Sequence, residues 1–503
     1  MEPVRVTPPT MTAESIRVLF ATSECAPLIK TGGLADVSSA LPAALTRLGV
    51  DIRVLLPGYR AVMGRLSGAR EVARLAATPR FPHARLLLAE GPGGVPLVVV
   101  DCPELYDRPG GPYQDPSGAD WPDNALRFGQ FSRVAAELSG VRSPLGWQVQ
   151  VLHCNDWQTG LAPAYLRLDP DATAATLLTI HNLAFQGVFP PQVVPQLGLP
   201  PESFSPAGVE YYGQMSFLKA AIRFADAVST VSPTYAEEIQ REPLGMGLQG
   251  LLAERRGDLE GILNGIDIEA WNPERDPLIA RRFGIRSLDS KRDNKWAVQQ
   301  RFGLTQDSDV PLLAVISRLA YQKGIDLVLE AAEALLALPS QLVVLGKGDR
   351  DYETRLLALA ARHRDRVAVM VGFNEELAHL IEAGADMFLM PSRYEPCGMN
   401  QMYSLRYGTI PVVRATGGLV DSVVNCKPET LSSGTANGFV FDVASTEALL
   451  GAVSRALEGY RNPGIWRALQ VAGMRRDFNW DASARRYLAI YTRLAKAQEP
   501  NSE

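Results

Sequence analysis

The reading of the fold turns on residues 16–59, IRVLFATSECAPLIKTGGLADVSSALPAALTRLGVDIRVLLPGY. An apolar run, IRVLFATSE, leads into a loop carrying Lys30-Thr31-Gly32-Gly33, and Val37, Leu41, Leu45 and Leu48 then recur at helical spacing. VDIRVLLPGY follows directly, so the stretch spells strand, glycine loop, helix, strand: one βαβ unit with its tight loop at the strand's carboxyl end. Further apolar runs recur at VPLVVVDC, VQVLHCND, ATLLTIHN and DAVSTVS, with helical patterns between them. The grammar restarts at PLLAVISRL and continues through SQLVVLG, RVAVMVGF, ADMFLMPS and TIPVVRAT. Two α/β domains, each a doubly wound parallel sheet, are the expectation. The boundaries read as 1–15 for a flexible N-terminal tail, 16–258 and 259–475 for the two domains, and 476–503 for a last helix that could pack back on the N-terminal domain.

At 503 residues the chain exceeds what one core supports, in keeping with two domains. The 46% apolar and 21% charged composition is that of a folded globular protein, and a net charge of -5 offers no broad basic surface for nucleic acid or an anionic membrane. Five scattered cysteines, none spaced as CxxC, fit a reducing compartment and argue against structural zinc. The first fifteen residues hold no apolar run long enough for a signal peptide or a membrane span, so a cytoplasmic location is expected.

In open α/β sheets ligands bind beyond the carboxyl ends of the strands, and the candidate residues fall there. Gly32 and Gly33, behind Lys30, open a helix where backbone amides and a lysine charge could meet an anion; a plain chain turn satisfies the same letters. The motif is neither GxGxxG nor a Walker loop. Arg318 and Lys323 follow the strand LLAVIS and together suit a pyrophosphate. Glu395, at the mouth of ADMFLMPS, could bond sugar hydroxyls or cap the helix that begins near Cys397-Gly398. Thr416-Gly417-Gly418 repeats the Thr-Gly-Gly of the first domain. His153, Asp156 and His181 each end a strand of the first half, without the HExxH spacing of a metal site, and Asp349-Arg350-Asp351 reads as solvated rather than metal-binding. Tyr106, Trp121 and Trp157 could offer flat apolar faces to a ligand or fill the core.

KTGGLADV, HNLAFQG, VSPTYAEEI, NGID, SRLAYQKG, PSRYEPCGMNQ and TGGLVD, in this order, resemble the bacterial glycogen synthase and plant starch synthase family. The resemblance implies a GT-B fold, with two Rossmann-like domains facing a deep cleft. It implies transfer of glucose from ADP-glucose to the non-reducing end of an α-1,4-glucan with retention, with no metal or other cofactor. It makes Lys30, Arg318 and Lys323 the contacts of the leaving diphosphate. Glu395, Cys397, Gly398 and His181 would hold the glucosyl group, Thr416, Gly417 and Gly418 would reach phosphate, and Asp156 would lie near the reacting carbon. Phe373 would face the base and Asn264 the donor. Relatives using UDP-glucose or a maltose-1-phosphate acceptor, and a non-catalytic glucan-binding scaffold, are the alternatives. Two departures from the family pattern are His153-Cys154-Asn155-Asp156-Trp157-Gln158 in place of HxHDWH, and Met399-Asn400 in place of the common Leu-Thr. The sequence does not give the oligomeric state.

Overall fold

The computed structural model describes residues 15–498, so the expected tail at 1–15 lies, but for Ser15, outside the described residues. Contacts divide the chain into two units: one runs up to Val228 and resumes at Asp481, and the other spans Ser229–Trp480.

The first unit is built on strands β1 (Arg17–Ala21), β2 (Asp51–Pro57), β3 (Arg70–Leu75), β4 (Ala84–Glu90), β5 (Pro96–Asp101), β6 (Val151–Asn155) and β7 (Ala175–Ile180). A small antiparallel sheet holds β8 (Val188–Phe189), β9 (Glu210–Tyr211) and β10 (Gln214–Ser216), and β11 (Ala227–Thr230) follows. The large sheet runs in spatial order β11-β7-β6-β1-β2-β5-β4-β3. β1 pairs in parallel with both β2 and β6. The chain therefore winds outward from β1 in one direction and resumes at β6 in the other, which makes the β1/β6 boundary the switch point where such sheets bind ligands. The helix Gly33–Arg47 buries Val37, Leu41 and Leu45 of the expected stripe and Leu34 besides, while Leu48 caps its C-terminal end half-buried. Pro42 inside this helix cannot donate to the carbonyl of Ser38, and that carbonyl instead accepts from Cys25 Sγ at 3.7 Å.

In the second unit, β12 (Leu259–Gly261) precedes a six-stranded sheet of β13 (Leu312–Leu319), β14 (Gln341–Gly348), β15 (Val367–Val371), β16 (Met387–Met390), β17 (Ile410–Arg414) and β18 (Phe439–Phe441). Its order is β15-β14-β13-β16-β17-β18, so the switch point lies between β13 and β16. Alternate residues feed two cores: Leu313 and Val315 of β13 join one, with Val344, Leu389 and Val412, while Leu312 and Ala314 join the other, with Val343, Phe388 and Val413. Strands buried on both faces read as unbroken apolar runs, which is why they stand out in the sequence.

The boundary between the domains differs from the expectation, and the last helix begins at Trp480 where 476 was expected. The division falls inside β11, well before residue 258, because the helix Pro233–Glu238 is bonded to the helix Gly417–Ser422 through side chains no local pattern reveals. The last helix, Trp480–Ala497, belongs from Asp481 to the first unit, where Tyr491 Oη lies 2.7 Å from His153 Nδ1.

Candidate active site

At the first switch point, β1 delivers Glu24 and the Lys30 loop, while β6 delivers Asn155 and Asp156. The Glu24 carboxylate accepts from Thr31 N at 2.6 Å, Thr31 Oγ1 at 2.5 Å, Gly32 N at 3.1 Å and Tyr113 Oη at 2.7 Å. The loop is thus held by an internal anion, a role the sequence reading did not assign to Glu24. Lys30 stands clear of it, its side chain 39% exposed and paired with Asp36 at 2.7 Å. Gly32 is exposed and a Cβ there would meet nothing within 4 Å, while Gly33 opens the helix.

Asp156 is strained. Its φ of 55° and ψ of -172° are conformations a side chain disfavours, at a cost of about 1–3 kcal/mol, and such strain concentrates at functional positions. The buried carboxylate accepts from His181 N at 2.7 Å and Asn182 N at 3.4 Å. Burial outweighs those bonds and pushes its pKa up to about 7. Burial also pushes the His181 imidazole down to about 3, so it is neutral at ordinary pH. Asn155 donates from Nδ2 to Ala21 O at 3.0 Å, which turns its Oδ1 toward His181 Nε2 at 2.9 Å. The Nε2 atom therefore carries the proton and Nδ1 keeps a lone pair, able to accept from a hydroxyl. His153 does not join this set: it is fully buried between Tyr491 and Thr179.

Tyr106 and Trp157 take the core role. The Tyr106 hydroxyl donates to Arg127 O at 2.8 Å, and Trp157 packs on Phe128 at 4.9 Å. Gly187, with φ 60°, lies so close that a Cβ would sit 2.4 Å from the indole. Trp121 is half-buried, with the Arg108 guanidinium 4.8 Å over its ring.

At the second switch point, β13 ends in exposed Arg318, whose Nη2 donates to Gln322 Oε1 at 3.0 Å, and the turn after it carries Lys323. From the turn beyond β16, Glu395 meets Lys323 Nζ at 2.5 Å and accepts from Ser392 Oγ at 3.0 Å. The two strands flanking the switch point thus bring a cation and a carboxylate together. Cys397 is buried and its thiol is pushed up to about 12 by desolvation, which suits a packing group and not a nucleophile. Gly398 makes the turn with φ 68°, ahead of the helix Asn400–Arg406, and Asn400 Nδ2 donates to Ile316 O at 2.6 Å. Asn264 is buried with an Oδ1 that has no hydrogen-bond partner, a state that a ligand hydroxyl would relieve. Phe373, beyond β15, is 77% exposed and offers an open aromatic face.

Of the Thr416-Gly417-Gly418 amides expected to reach phosphate, those of Gly417 and Gly418 are bonded within the protein. Gly417 N donates to Glu238 at 3.1 Å, and Gly418 N donates to the carbonyls of Glu395 and Pro396 at 3.2 Å each. Both amides are already committed to protein acceptors. Arg414 is likewise engaged with the Ser392, Arg393 and Asp442 carbonyls. Asp349 caps a helix by accepting from Asp351 N at 2.8 Å, and among the described residues no cluster of three His, Cys, Asp or Glu side chains could hold a metal ion.

Residues 17–254 match the family described as starch synthase catalytic domain, and residues 298–467 match glycosyl transferases group 1. The glycogen synthase of Nitrosospira multiformis is 53% identical over 490 residues, covering 97% of this chain and 99% of the relative. The chain belongs to the glycogen and starch synthase family. The glycogen synthase of Aromatoleum aromaticum is 54% identical over 488 residues, with 97% and 99% covered. Among solved structures, the catalytic domain of starch synthase IV from Arabidopsis thaliana, bound to ADP and acarbose, is 31% identical with a TM-score of 0.85, covering 96% of this chain and 100% of that one. Sucrose-phosphate synthase from Thermosynechococcus elongatus, at 18% identity and a TM-score of 0.60, shares the fold. This family member is a glycosyltransferase with the GT-B fold of two Rossmann-like domains.

Proposed function

We propose that this chain transfers glucose from ADP-glucose to the non-reducing end of an α-1,4-glucan with retention of configuration. The observation that carries the reading is the Arg318, Lys323 and Glu395 set at the second switch point, with the Lys323–Glu395 contact at 2.5 Å, in a member of this family. Breaking a glucose–phosphate bond builds negative charge on the departing diphosphate and positive charge on the sugar ring. Arg318, Lys323 and Lys30 would stabilise the first. Such preorganised donors each contribute about 3 kcal/mol. Glu395 and His181 Nδ1 would hold glucosyl hydroxyls, Asn264 and Phe373 the donor, and ionised Asp156 would face the developing cation. In this scheme the leaving phosphate takes the acceptor's proton on the same face of the sugar, and no side chain forms a covalent intermediate. A trapped glucosyl adduct on Glu395 or Asp156 would overturn that step.

Preference for ADP-glucose is supported by the ADP in the starch synthase IV structure. Five free thiols support a cytoplasmic location, and among the described residues no helix is long and apolar enough to cross a membrane. The test is to incubate the purified protein with ADP-glucose or UDP-glucose, with and without glycogen, and measure released nucleoside diphosphate. Glycogen-dependent ADP release is expected; release from neither donor would return the chain to a glucan-binding scaffold.

A further inference from the structure

Two short helices of the second unit, Pro233–Glu238 and Gly417–Ser422, cap one another. Asp421, near the end of the second, accepts from Thr234 N at 3.2 Å and Thr234 Oγ1 at 2.7 Å, at the start of the first. Glu238, at the end of the first, accepts from Gly417 N at 3.1 Å and from Thr416 Oγ1 at 3.1 Å, at the start of the second. Each carboxylate thus meets the positive end of the facing helix and satisfies donors that the helix itself cannot.

The second helix start is in turn pressed against the backbone that carries Glu395. A Cβ on Gly417 would lie 2.0 Å from Glu395 O, and one on Gly418 would lie 2.0 Å from Cys397 O. Gly418 N–H is shared between the Glu395 and Pro396 carbonyls at 3.2 Å. Glu238 therefore fixes the Gly417 amide, the neighbouring Gly418 amide fixes the 395–396 carbonyls, and Glu395 from that turn meets Lys323.

We propose that Glu238, with Asp421 as its reciprocal partner, is a positioning residue that sets where the Glu395 carboxylate stands. Its effect on turnover rests on the reading that Glu395 holds the donor sugar. Removing the Glu238 carboxylate leaves the Gly417 amide and the Thr416 hydroxyl without their acceptor, and the turn that they brace is free to shift. A displacement of about 1 Å at a reacting group costs up to about 100-fold in rate.

The test compares Glu238→Ala, Glu238→Gln and Asp421→Ala with the wild type, all in the full chain. Amide hydrogen exchange of peptides covering 394–402 and 415–420 reads the positioning without any substrate. Turnover with ADP-glucose and glycogen, measured well below the melting transition, reads its consequence. E238A is expected to speed exchange in both peptides and to lower kcat by about 10- to 100-fold, with KM for the donor nearly unchanged. E238Q, which keeps a carbonyl acceptor, is expected to recover most of the turnover, and D421A to show a smaller loss of the same kind. Wild-type exchange at 394–402 in E238A, unchanged kcat in E238A, or equal loss in E238A and E238Q would each overturn the proposal. If the wild type turns over no donor, the synthase reading falls, while the exchange measurement still decides whether Glu238 holds the turn.

Discussion

Thr31-Gly32-Gly33 follows β1 and Thr416-Gly417-Gly418 follows β17, and in both a glutamate binds the threonine hydroxyl and a loop amide: Glu24 in the first, Glu238 in the second. Beyond that shared chemistry the loops part. Around Gly32 there is open space and Lys30 reaches solvent, whereas Gly417 and Gly418 lie against the Glu395 and Cys397 carbonyls and Arg414 is spent on backbone oxygens. Glycine serves exposure in one case and close packing in the other. A repeated motif therefore reports a repeated local turn, and what surrounds the turn decides whether it faces a ligand or braces one that does.

The largest expected effects come from cations that reach past their loops. Arg318→Ala and Lys30→Ala should each lower kcat by about 100- to 1,000-fold while moving stability by no more than about 0.5 kcal/mol, since both side chains are exposed. Turnover assays beside thermal melting check this, and near wild-type synthesis by Lys30→Ala would break the contrast between the loops.

Next comes Gly417→Ala, which puts a methyl onto a carbonyl at a φ of 45° and should destabilise by about 3 kcal/mol. The matching Gly32→Ala should stay within about 0.5 kcal/mol, because the space is open and its φ of -156° is extended backbone. Denaturant titrations of the pair decide whether the two loops differ as described.

Asp156 sharpens the picture at the first switch point. With its pKa pushed up to about 7, kcat/KM should fall about tenfold per pH unit as the pH drops below that value, and Asp156→Asn should abolish this limb along with most of the turnover. The stability sign runs the other way. A raised carboxyl pKa means the fold prefers the neutral form, so the cost of ionisation is absent below the ordinary 3.8, grows as the pH rises to about 7, and stays constant above. Asp156→Asn should therefore raise the melting temperature near neutral pH and leave it unchanged in strong acid. Melting curves across pH test this independently of activity.

The parallel strands were legible because double-sided burial writes continuous apolar runs, and that pattern set Lys30, Asp156, Arg318 and Glu395 at or just beyond strand ends, while the roles proposed for them came from the family resemblance. The β3–β4 pairing was missed, since β3 is largely exposed and alternates irregularly across a register shift. So were Glu24 and Glu238. An acidic residue in a helix or a turn looks solvated, and the partner of Glu238 lies 179 positions away. The strain at Asp156 has no compositional signature at all, because aspartate is an ordinary residue whose backbone angles only the folded chain can set.

The helix Trp480–Ala497 has a consequence for how the molecule is made. It places fully buried Tyr487 and Tyr491 in the first unit, and the latter bonds His153, so the half that leaves the ribosome first lacks part of its interior until this helix has been synthesised. Nascent chains stalled before this segment should present an incomplete Rossmann-like domain to chaperones for the whole time the second domain is being translated.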